Sequence, residues 1–101
     1  MLVSCSSIGP TGNPEKDAKQ FAEEMFSACK ADNLDRMKEI LNTYYEFYND
    51  QNAEDISEFF SAWKDELSNF SEYGIVEDNF SEMGEKADKD GKMEELYKKS
   101  L

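Results

Sequence analysis

The sequence predicts an all-α fold: a four-helix bundle built from two helical hairpins, with the last helix kinked or split near Gly91 and a flexible N-terminal tether. Three observations lead there. Apolar residues recur at i, i+3, i+4 and i+7 along most of the chain, the period of a helix with one buried face. Short polar residues precede these stretches (Asn13, Asp32 or Asn33, and Asn52), where a side-chain oxygen can satisfy the free N–H groups of a first helical turn. Ile75-Val76 is the only β-branched pair, too short to build a sheet.

Helix one is expected over Pro14–Lys30. Asn13 is its cap, Pro14 takes the first position with its preset φ, and Glu15 and Asp17 complement the positive end of the helix dipole. Its stripe is Ala18, Phe21, Ala22, Met25 and Cys29, widened by Phe26. The turn Ala31-Asp32-Asn33 is short enough to make the next helix antiparallel to the first. Helix two, Leu34–Tyr48, carries Leu34, Met37, Leu41, Tyr44 and Tyr48, broadened by Ile40, Tyr45 and Phe47, so it is expected at the centre of the bundle.

Asn52 and Asp55 form a capping-box pattern before helix three, whose stripe runs Ile56, Phe59, Phe60, Trp63, Leu67 and Phe70. Gly74 fits the left-handed residue that follows a helix. Helix four starts near Glu77 or Asp78, with Phe80, Met83 and Ala87 inward. Asp88-Lys89-Asp90-Gly91 interrupts it, and Met93, Leu96 and Tyr97 resume the pattern. Two regions follow: residues 1–13 as signal remnant and flexible tether, and residues 14–101 as an acidic helical domain.

The formal charge of −12 is concentrated in residues 50–73, which hold seven acids and one base. Such a surface repels phosphate backbones, so nucleic acid is not an expected partner, whereas a basic protein is. Histidine is absent, and no Gly-rich phosphate loop, nucleophile elbow or paired-cysteine motif occurs. No enzyme activity, cofactor or metal is therefore expected. Asp88-Lys89-Asp90-Gly91 evokes a calcium loop, but aligning Gly91 with its invariant glycine puts Lys86 and Tyr97 at the terminal ligand positions, where oxygen-rich side chains belong. Cys29, on the apolar stripe, is expected as a buried free thiol. The candidate interaction surface is an exposed aromatic patch with an acidic rim: Tyr44, Tyr45, Tyr48 and Trp63 with Asp50, Glu54, Asp55 and Glu58. Three tyrosines within five residues cannot all bury satisfied hydroxyls, so some should reach the surface.

Leu2-Val3-Ser4-Cys5, followed by the uncharged stretch Ser6–Asn13, resembles the lipobox that ends a bacterial lipoprotein signal. Leu2 stands at −3, the small Ser4 at −1 and Cys5 at +1. The resemblance implies cleavage before Cys5, lipid on its sulfur and amino group, and membrane anchoring by several acyl chains. Met1 is then an internal methionine of a longer signal, or a chosen starting point. Ser6 after the cysteine is similar to the family's pattern for sorting to an outer membrane, so the implied location is the bacterial cell envelope. Lipidation of Cys5 would exclude a Cys5–Cys29 disulfide. Two other readings stay open: a cytoplasmic acidic adaptor whose true start is Met1, and a helical carrier of a small apolar ligand with a cavity between helices two and three.

Overall fold

A computed structural model describes residues 9–101, and all regular structure within them is helical. Five α-helices follow in order: α1 (Pro14–Lys30), α2 (Leu34–Asn49), α3 (Ala53–Glu66), α4 (Glu77–Ala87) and α5 (Lys92–Lys99). The asparagine signals work as short side chains should. Asn13, Asn33 and Asn52 each accept from the backbone N–H three residues on, at 3.2, 3.1 and 2.9 Å.

The α1–α2 turn is closed by two bonds, Asn33 N–H to Ala28 O (2.8 Å) and Asp32 N–H to Cys29 O (2.9 Å). This is the Schellman arrangement, and it puts Asp32 at φ +57°, a left-handed conformation more often given to glycine. Asp32 is thus the turning residue, and Asn33 is the cap.

Helix three ends earlier than its apolar pattern. Past Glu66 the chain tightens into two 3₁₀ turns, Leu67–Asn69 and Ser71–Tyr73, before Gly74 turns left-handed at φ +71°. Ser68 Oγ donates to Asp65 O and the Asn69 amide donates to Glu66, local bonds that compete with continued α-helix. The break lets Phe70 fold back, with its ring 5.3 Å from Phe26 and 4.9 Å from Phe80. Ile75 is buried as a plug under this loop, whereas Val76 is exposed and precedes α4.

That long connection changes the expected pairing of helices. The second hairpin would set α3 against α4, but α3 packs chiefly on α1 and also on α5, while α4 lies on α2 and α1. The helix after Gly91 is also a separate element, α5, with Gly91 at φ +71° and Asp88 Oδ1 accepting from Met93 N–H (2.8 Å). The last helix is therefore split at Gly91, one of the two forms expected there, and five helices result.

Helix α1 shares the centre with α2, which packs on α1, α4 and α5. Helix α1 touches α2, α3 and α4, and it buries Ala18, Phe21, Ala22, Met25, Phe26, Ala28 and Cys29. On α2, Leu34, Tyr45 and Phe47 are only partly buried. Cys29 is a buried free thiol whose Sγ receives the Asn79 amide at 3.6 Å.

Phe59 of α3 is the hub of the aromatic core. Its ring stacks on Tyr48 at 4.4 Å and lies 5.6 Å from both Phe21 and Phe60. Phe59→Ala is expected to cost about 3–5 kcal/mol, by lost burial plus the cavity left behind. Thermal unfolding followed by circular dichroism measures this, and a change in Tm of only a degree or two would contradict the hub role.

Candidate functional site

The surface expected from sequence divides into two parts. Tyr44 and Tyr48 are a correction: both are buried, at 1% and 0% exposure. Their i, i+4 spacing places them on the inner stripe of α2 with Leu41. Each finds a carboxylate for its hydroxyl, Tyr44 donating to Glu24 (3.2 Å) and Tyr48 to Asp17 (2.6 Å). Burial pushes both phenols well above their ordinary pKa, and the facing carboxylates add to that rise. Tyr45 is the tyrosine that reaches the surface, where its hydroxyl donates to Glu95 of α5. Trp63 is half-buried against Phe21 and Phe60.

The acidic residues remain outside. Asp50 is exposed at the C-cap of α2, Asp55 is half-buried in the first turn of α3, and Glu54 and Glu58 are exposed. Glu54, Glu58, Ser61 and Asp65 recur at i, i+4, i+7 and i+11, forming a solvent stripe opposite Ile56, Phe59 and Phe60. An open groove of about 640 Å³ runs between this stripe and α1, with Glu15, Glu58, Asp65 and Glu66 set against Lys16 and Lys19. The structure thus gathers an acidic groove on α1 and α3 in place of an aromatic patch. Nothing in it brings Asp50 to that groove.

A second cluster was not anticipated. Asp17 carries no solvent exposure, yet four donors converge on its carboxylate. Thr11 N–H reaches both oxygens at 2.8 and 2.9 Å, Thr11 Oγ1 donates at 2.8 Å, Gly12 N–H at 3.0 Å and Tyr48 hydroxyl at 2.6 Å. Gly12 adopts φ +99°, which a side chain would disfavour. Burial pushes the Asp17 carboxyl up, but bonds from Tyr48, Thr11 and Gly12 outweigh it and hold the group below its usual value.

The expected flexible tether is therefore corrected over residues 9–13, which are pinned to the bundle. Gly9 lies beside Thr43 of α2. Leu2, Ser4, Cys5 and the rest of the lipobox-like stretch lie outside the described residues. The available signal for the pin was positional: Asp17 stands four residues before Phe21 and eight before Met25, on the apolar stripe itself.

Among the described residues, no three or more His, Cys, Asp or Glu side chains are gathered as metal ligands, and no helix is long and apolar enough to cross a membrane. Compared with protein-family models, curated proteins and solved structures, the chain has no match.

The Asp17 cluster sets a pH dependence. A lowered folded-state pKa contributes stability that is full above the unfolded value of about 4 and lost as pH falls through the folded one. Raised Tyr44 and Tyr48 act at the other end: their contribution is full below about pH 10 and lost as pH rises beyond it. Urea unfolding against pH should show a plateau between about pH 5 and 9. In Asp17→Asn the acid limb should flatten, and a limb as steep as in the wild type would refute the assignment. Asp17→Ala, which strands the buried Tyr48 hydroxyl, should cost about 2–3 kcal/mol at pH 7.

Proposed function

We propose that this chain is a non-enzymatic lipoprotein of the bacterial cell envelope, anchored to the outer membrane through Cys5, whose helical domain binds a basic protein. The anchor rests on Leu2-Val3-Ser4-Cys5 standing before an uncharged stretch. The partner half rests on the acidic groove between α1 and α3, and that groove is the observation that carries it. A groove whose four acids outnumber its two lysines attracts Lys- and Arg-rich segments and speeds their encounter at low salt.

The pinned segment supports a specific geometry for the anchor. Between Cys5 and the docked Gly9 the chain can span at most about 14 Å. The domain would therefore sit close to the bilayer rather than range from it on a long leash. The groove, formed by the same α1 whose first turn holds the pin, would stay near the membrane surface.

Two measurements test the reading. Metabolic labelling with a fatty acid, using the gene in its natural upstream frame, is expected to label the wild type and not Cys5→Ser. No label on the wild type, or label that survives the substitution, refutes the anchor and favours a cytoplasmic adaptor beginning at Met1. For the groove, a Lys/Arg-rich peptide should bind more weakly to the double variant Glu58→Lys, Asp65→Lys than to wild type, by roughly tenfold at low salt, with the difference shrinking as salt rises. Equal binding by the two proteins would remove the groove from the proposal.

A further inference from the structure

An apolar cavity of about 240 Å³ lies where α4 gives way to α5, partly open to solvent. It sits away from the acidic groove and the Asp17 cluster, and its interpretation does not depend on the lipid anchor. Leu41, Trp63, Phe80 and Met93 supply walls from four different helices. It is larger than the roughly 150 Å³ apolar cavity that stays dry and takes up benzene.

Gly84 borders this cavity from the middle of α4. Its φ is not positive, and a Cβ built there meets nothing within 4 Å. Neither backbone conformation nor crowding calls for glycine, which weakens a helix interior relative to alanine. The residue's effect is to leave the space open. An apolar cavity and an unforced helical glycine in one place make poor sense as packing for its own sake.

The polar residues that complete the lining are both acids, Glu85 and Asp88. Glu85 is exposed, and Asp88 is half-buried with one oxygen accepting from Met93 N–H. No basic side chain lines the cavity. A carboxylate-headed guest would be repelled there, whereas an ammonium group would meet two negative partners while its apolar body fills the space left at Gly84. We propose that this cavity is a binding site for a small apolar molecule ending in an amine.

Trp63 is the only tryptophan and forms a wall, so its fluorescence reports occupancy. The full chain is titrated with n-octylamine, octan-1-ol and octanoate, while circular dichroism monitors the helices. A saturable shift in Trp63 emission is expected with octylamine, with octanoate about tenfold weaker or worse. Gly84→Leu, which fills the cavity, should raise Tm and abolish the response. Met93→Phe fills it from α5 and serves if the first variant does not fold. Glu85→Gln should weaken octylamine while leaving octanol unchanged. No saturable change with octylamine, or binding that persists in the filled variants, overturns the site. Octanol or octanoate binding as tightly as octylamine overturns the amine assignment.

Discussion

A single carboxylate shut away from water governs how this bundle closes. Asp17 can be charged and buried only because four donors surround it, and those donors come from the segment before α1 and from the far end of α2. Its satisfaction therefore fixes three things at once: the course of residues 9–13, the start of α1, and the position of the Tyr48 ring. Tyr48 in turn stacks on Phe59, so the constraint passes from a polar cluster into the aromatic core and on to α3. A buried charge left short of partners would cost several kcal/mol. The geometry around it is consequently among the least negotiable in the molecule.

The tyrosines extend the same logic. Tyr44, Tyr45 and Tyr48 all donate to carboxylates, on Glu24, Glu95 and Asp17. An acid-rich chain offers acceptors wherever a phenol must be buried, so part of the negative charge is structural and only part is available to a partner. Glu24 serves twice, also receiving Arg36 at 3.0 Å. The remaining acids, especially Glu58 and Asp65, have no such internal duty, and they line the groove.

Local signals were legible in the sequence, and distant ones were not. Asn13, Asn33 and Asn52 announced helix starts because capping needs only a neighbouring N–H. The stripes of α1 and α3 likewise named Phe21, Ala22, Phe59 and Phe60 as core, and burial agrees. Asp17 looked like an ordinary first-turn acid because its principal partner, Tyr48, lies 31 residues away. The aromatic patch failed for a related reason. Periodicity put Tyr44 and Tyr48 inward, but only the carboxylates opposite them explain how two hydroxyls survive there. The break after Glu66 was hidden because Leu67 and Phe70 keep helical spacing even as the backbone turns away. The cavity beside Gly84 depends on how five helices meet, which no linear pattern encodes.

The last helix has a consequence for how the molecule is made. Lys92 meets Asn42, Glu95 meets Tyr45, and Lys99 meets Asn49, each across fifty residues, so α5 runs parallel to α2 and is stitched to it at the rim. At eight residues, α5 is too short to hold helical form by itself in water. It becomes a helix by docking, with Leu96 as its one fully buried apolar anchor. During synthesis from the amino end, α1 to α4 must wait on α5 for their last wall. Docking of α5, rather than formation of any one hairpin, is then the event that seals the interior.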